Sequence, residues 1–131
     1  MDELFRILVI DDDESIRRTT AAILQSEGYA VDTAENGREA INKSNADLYR
    51  VALIDFRLPD MNGTELLTTL RETTPRMVKI MITGYASLEN AIECVNKHAD
   101  AYFVKPVDYE ALLTTIRDLI QKQKEETSRR G

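Results

Sequence analysis

The sequence predicts an α/β protein: a doubly wound (βα)5 fold with a parallel five-stranded sheet in the order 2-1-3-4-5. Three observations carry this. Five short apolar runs recur along the 131 residues, at 5–10, 29–34, 51–54, 78–82 and 101–104. The segments between them repeat apolar residues at helical spacing. The connections are short, so each crossover is a helix, and the strands lie parallel with helices on both faces.

The elements follow in order. The first, third and fifth runs are nearly continuous and rich in β-branched or aromatic residues, which predicts strands buried on both faces. The second alternates (Ala30, Val31, Asp32, Thr33) and reads as an edge strand. Ile16, Thr20, Ile23 and Leu24 form the apolar stripe of the first helix, and Gly28 follows it where a left-handed residue is wanted. Asn36 and Glu39 have the spacing of a capping pair at the start of the second helix. Leu66, Leu67 and Leu70 stripe the third, and Leu88, Ala91, Ile92 and Val95 the fourth. Tyr109, Leu112, Leu113, Ile116, Leu119 and Ile120 stripe the fifth. Each set is expected to face a core. Residues 121–131 contain no apolar side chain, so one domain is expected over 1–120, followed by a solvated helix extension, linker stub or terminal tail.

Composition sets the limits. A 14.9 kDa chain is expected to expose ~7,000 Å² folded against ~21,600 Å² unfolded, enough burial for one core without staples. One cysteine, Cys94, excludes an intrachain disulfide framework, and one histidine, His98, excludes a His-based nucleophilic site elsewhere. The apolar runs are far too short to insert into a membrane, and the acidic N-terminus has no secretory pattern, so a cytoplasmic protein is expected. A net charge of −6 argues against direct binding of nucleic acid, whose affinity rests on neutralising phosphates.

In an open α/β sheet, ligands bind beyond the carboxyl ends of the strands. Asp11 and Asp12 follow the first strand, Asp55 the third, Thr83 the fourth and Lys105 the fifth. Two carboxylates ~4 Å apart repel by roughly 4 kcal/mol at an effective dielectric near 20. Three together must take up a proton or hold a cation. An all-oxygen set suits Mg²⁺, which shares its shell readily with phosphate oxygens. Thr83 and Lys105 suit a phosphoryl group, and Asp55 is the candidate nucleophile for an aspartyl phosphate.

The blocks Leu8-Val9-Ile10-Asp11-Asp12-Asp13, Asp55-Phe56-Arg57-Leu58-Pro59-Asp60-Met61-Asn62-Gly63, Met81-Ile82-Thr83-Gly84-Tyr85 and Tyr102-Phe103-Val104-Lys105-Pro106 together resemble the receiver domain of two-component response regulators. The resemblance implies a phosphoacceptor signalling domain of a phosphorelay, with no external substrate to turn over. Asp55 would take a phosphoryl group from a sensor histidine kinase or histidine phosphotransfer protein. Asp11, Asp12, Asp55 and the backbone carbonyl of Arg57 would hold Mg²⁺, with Mn²⁺ as a substitute. Thr83 and Lys105 would bind the phosphoryl oxygens, and Thr83 and Tyr102 would form the switch. A homodimer through the face of helix 4, strand 5 and helix 5 is one assembly it implies, and a cis Lys105–Pro106 bond is another expectation.

The chain departs from the family pattern at several places. His98 stands where glycine is usual and is expected at positive φ, and Asn62 replaces a commoner aspartate. Ala101 and Thr115 occupy positions charged in one dimerising class. Arg57 and Tyr85 are large and are expected to form a lid over the phosphoryl site. Cys94 reads as a small packing residue. Competing readings are a haloacid-dehalogenase-type phosphatase with Asp11 as nucleophile, a flavodoxin-like electron carrier, and a degenerate receiver that only binds. The first leaves Asp55 unexplained, the second would set four acids against a flavin phosphate, and the complete residue set speaks against the third.

Overall fold

The computed structural model describes residues 5–84 and 87–130, without the side chains of 127–130. Strands and helices alternate: β1 (Arg6–Ile10), α1 (Glu14–Ser26), β2 (Ala30–Ala34), α2 (Gly37–Ala46), β3 (Val51–Asp55), α3 (Gly63–Thr73), β4 (Val78–Thr83), α4 (Leu88–Asn96), β5 (Ala101–Val104) and α5 (Tyr109–Arg130). All strand pairs are parallel and the order is β2-β1-β3-β4-β5, as the alternating pattern predicts.

Successive residues of a strand point to opposite faces, so the apolar runs of β1, β3 and β4 feed two cores at once. Ile7, Val9, Val51, Leu53, Val78, Ile80 and Ile82 pack with Leu24 of α1 and Leu112, Ile116 and Ile120 of α5. Leu8, Ile10, Ala52, Ile54 and Met81 pack on the other face with Ala40 of α2, Leu66, Leu67 and Leu70 of α3, and Cys94 of α4. The helix ends match their local signals. Asp13 accepts from the Ile16 amide and Asn36 from the Glu39 amide, and Gly28 follows α1 at φ 94°. His98 takes the same role after α4 at φ 66°, and Lys105–Pro106 is cis.

Two expectations are corrected. β5 closes the edge of the sheet, so it is half-buried rather than covered on both faces, and Val104 is exposed. The apolar stripe of α4 faces outward: Leu88 is 77% exposed, Ile92 49% and Val95 70%, while the one fully buried side chain of the helix is Cys94. Helical spacing identifies a face without saying what lies against it.

α5 runs without a break past the last core residue, Ile120. Its later turns still touch the domain. Gln123 donates to the Arg76 carbonyl, and the Lys124 ammonium lies 4.6 Å from the Phe5 ring centroid, with the Arg50 guanidinium 4.9 Å from the same centroid. Among the described residues no helix is long and apolar enough to cross a membrane.

Candidate functional site

The parallel register brings the polar ends of the central strands to one edge. Ile10 pairs with Ile54, so Asp11 and Asp55 are the next residues of neighbouring strands. Asp55 pairs with Ile82, which places Thr83 one step further on, and Thr83 pairs with Val104, which places Lys105 beside them. The Lys105 amide also donates to the Thr83 carbonyl at 2.8 Å. The residues singled out from sequence therefore share one sheet edge.

Carboxylate oxygens of Asp11, Asp12 and Asp55 lie within 4.8 Å of one another. Asp11 and Asp55 are buried, and Asp12 is exposed. The Lys105 ammonium bridges the two buried carboxylates, 2.9 Å from Asp11 Oδ2 and 3.5 Å from Asp55 Oδ2. Asp11 is fixed further: its Oδ1 accepts the Asp13 amide at 2.9 Å, and its carbonyl accepts Arg17 Nη1 at 2.9 Å. Asp13, although adjacent, is used to cap α1 and does not join the cluster.

Three carboxylates face one ammonium, and burial makes the imbalance costly. Burial first, then the charge of Asp11, pushes the Asp55 carboxyl up to about 7, against the opposing pull of Lys105 and the Arg57 amide. Burial alone would lower Lys105, but the hydrogen bond to Asp11 and the charges of Asp55 and Asp11 raise it. The site answers the surplus of negative charge by keeping a proton or by taking a cation. Hard carboxylate oxygens at this spacing, one of them open to solvent, fit a magnesium ion that keeps several waters.

Thr83 is buried at the end of β4. Tyr102 packs against the α2–α3–α4 core, and its hydroxyl is buried without a hydrogen-bond partner among the described residues. Arg57 is exposed at the start of the loop after β3, and its amide lies 3.5 Å from Asp55 Oδ1. The expected partner of Arg57 in a lid, Tyr85, lies outside the described residues. An open groove of about 780 Å³ lies at the opposite end of the sheet, lined in part by Tyr49, Arg50, Met77 and Leu119. Size does not mark the chemistry here; the carboxylates do.

Sequence reasoning did not anticipate three contacts, two around the site and one at the far end of the sheet. Arg17 reaches back from α1 to the Asp11 carbonyl. Asp60 accepts the first two amides of α2. Lys79, buried within β4, donates to the carbonyls of Thr74 and Met77 at 3.0 and 2.7 Å. Each is a contact made through the fold, with no local motif to announce it.

Comparison with known proteins agrees with this geometry. Residues 7–117 match the family model for the response regulator receiver domain. A CheY-like receiver domain protein from Methanospirillum hungatei JF-1 is 45% identical with a TM-score of 0.91, covering 95% of this chain and 99% of that one. CheY4 of Vibrio cholerae is 32% identical with a TM-score of 0.84, over 89% of this chain and 99% of that one. Among curated proteins, the regulatory protein AtoC of Escherichia coli K12 is 33% identical over 94% of this chain and 27% of its own length. The cell cycle response regulator CtrA of Brucella ovis is 32% identical over 91% of this chain and 51% of its own length. The chain thus spans about a quarter to a half of these curated relatives. With the fold, the strand-end residues and these matches in agreement, the chain belongs to the response regulator receiver domain family and is a phosphoacceptor signalling domain.

Proposed function

We propose that Asp55 is the phosphoacceptor, charged by the phosphohistidine of a sensor histidine kinase or histidine phosphotransfer protein. The observation that carries this reading is the Lys105 ammonium held between the buried carboxylates of Asp11 and Asp55. A fixed positive charge beside a buried carboxylate stabilises the phosphoryl oxygens that arrive there. An Asp55 carboxylate oxygen attacks phosphorus, the phosphorus–nitrogen bond to the donor imidazole breaks in line, and its electron pair leaves with the imidazole. Lys105 and the Thr83 hydroxyl then hold phosphoryl oxygens. Asp11, Asp12, Asp55 and the Arg57 carbonyl would hold Mg²⁺, or Mn²⁺ in its place, which supplies further neutralisation of phosphoryl charge. Hydrolysis of the acyl phosphate by water resets the domain, with no external substrate turned over.

The receiver unit is read as residues 1–120, with 121–131 as its extension, and the protein as cytoplasmic. The switch is read as Thr83 with Tyr102, acting on the face of α4, β5 and α5. The exposed Leu88, Ile92, Val95 and Val104 on that face support an output contact there, a homodimer among the options. Incubation with acetyl phosphate and Mg²⁺ followed by intact-mass measurement tests the acceptor. One added phosphoryl group is expected on the wild type and none on Asp55→Asn, whose amide is close in shape but forms no acyl phosphate. Labelling of Asp55→Asn at the wild-type rate refutes the assignment.

A further inference from the structure

The loop between β3 and α3 carries the Arg57 carbonyl and is tied to the sheet at its two ends, where the Phe56 amide donates to the Ile82 carbonyl at 2.8 Å and the Gly63 amide to the Phe56 carbonyl at 2.7 Å. It closes on itself: Arg57 pairs with Asn62 as an isolated antiparallel bridge, and the Leu58 amide donates to the Met61 carbonyl at 3.2 Å. Between those ends the closed turn is anchored on α2. Both carboxylate oxygens of Asp60 accept from the helix, Oδ1 from the Gly37 amide and Oδ2 from the Arg38 amide, each at 2.9 Å. Beside them the Met61 side chain lies over Gly37 so closely that a Cβ there would fall 2.4 Å from its sulfur.

The first four amides of a helix have no partner within it. In α2 the three amides after the cap are all taken, Gly37 and Arg38 donating to Asp60 and Glu39 to the Asn36 side chain, and the Ala40 amide makes the first bond of the helix, to the Asn36 carbonyl. Asn36 is the local cap, and Asp60 is a second cap supplied from 22 residues away. The two amides hold the Asp60 carboxyl below the usual range, Gly37 contributing most, so the clasp is made by the ionised form. A helix that needed only capping could take it from its own flank. The cap from Asp60 also fixes where the β3–α3 loop sits.

We infer that Asp60 is a positioning residue for the cation site: by clasping the α2 N-terminus it holds the β3–α3 loop, and with it the Arg57 carbonyl, where a divalent ion needs a neutral oxygen. The inference rests on the cation reading proposed above. Asp60 acts through Leu58 and Pro59, the two residues that separate it from Arg57. Outer partners that orient metal ligands commonly change affinity by about 10–100-fold when removed.

The test is a Mg²⁺ titration of wild type, Asp60→Ala and Asp60→Asn at constant ionic strength, followed by backbone amide chemical shifts, with hydrogen exchange at Gly37 and Arg38 read in the same samples. Asp60→Ala is expected to bind Mg²⁺ about tenfold more weakly, with faster exchange at both amides. Asp60→Asn lacks the charge but keeps an acceptor oxygen and is expected to fall between the two. In acetyl phosphate labelling, the Mg²⁺ concentration for half-maximal rate should rise by the same factors while the rate at saturation is unchanged. Equal affinity in all three proteins overturns the inference and leaves the cation reading standing. Equal weakening in Ala and Asn overturns it too, because charge alone would then explain the effect. Should Asp60→Ala lose the amide protection of β3, Asp60→Asn decides: wild-type affinity with Gly37 and Arg38 exchanging faster is the overturning result. A wild type that shows no shift with Mg²⁺ overturns the cation reading and this inference with it.

Discussion

Replacing Asp55 by Asn should make the cation-free protein more stable, by an amount that depends on pH in a way few substitutions would imitate. The Asp55 carboxyl stands at about 7 in the folded protein against 3.8 for the free group, chiefly because of burial and the charge of Asp11. Each unit of displacement corresponds to ~1.36 kcal/mol, so the ionised form costs the native state on the order of 4 kcal/mol. The sign follows from proton binding. Between about pH 4 and pH 7 the folded protein keeps a proton that the unfolded chain has lost, so stability falls as pH rises through that window and levels off above it. Asn is neutral throughout and close in shape to the protonated acid. The difference between variant and wild type should therefore be near zero at about pH 4 and approach ~4 kcal/mol in favour of Asn at about pH 8. Urea unfolding in EDTA, followed by far-UV circular dichroism, measures both ends, and the chain has no tryptophan to serve as a fluorescent probe. Adding Mg²⁺ should narrow the gap, because the wild type retains all three carboxylates. A difference that does not vary with pH would refute the charge argument.

Three further outcomes are expected from equilibrium unfolding. Gly63→Ala should cost ~1–3 kcal/mol or more, since its Cβ would stand 2.3 Å from the Asp55 carbonyl oxygen and 2.8 Å from Phe56 Cα, whereas the nearest atoms to a Cβ at Gly37 belong to the flexible Met61 side chain and Gly37→Ala should cost less. Lys79→Met should destabilise by about 1–2 kcal/mol, because it leaves the buried Met77 carbonyl without its ammonium donor, while the Thr74 carbonyl keeps the Met77 amide. His98→Gly should stabilise by ~1 kcal/mol through relief of a left-handed φ at a non-glycine residue.

The fold and the carboxylate cluster were legible because both depend on local pattern and strand order. Short apolar runs and helical stripes predict β1 to β4 and α1 to α3, and parallel topology alone carries Asp11, Asp55, Thr83 and Lys105 to one edge. The outward stripe of α4 was not legible, because the spacing of Leu88, Ile92 and Val95 is identical for a buried and an exposed face. Cys94, the residue that does face the core, is small and carries little pattern weight. Half-burial of β5 is a property of its edge position, which its composition conceals. Asp60 to α2, Arg17 to Asp11 and Lys79 to the end of α3 are side-chain-to-backbone contacts, and no periodicity encodes them.

The outward stripe has a consequence for how unevenly the domain holds together. α3 inserts Leu66, Leu67 and Leu70 into the core, while α4, nine residues long, inserts Cys94 alone. A helix of that length is marginal without tertiary support, and one small buried side chain contributes only ~1–2 kcal/mol. Its amides should then exchange through local opening rather than through global unfolding. The two helices also differ in how cheaply they can be relocated. Displacing α4 forfeits the burial of one small side chain, whereas displacing α3 forfeits three buried leucines and costs several times as much. Two helices packed on one sheet are thus seated at unequal depth, one held by three leucines and the other by a single thiol.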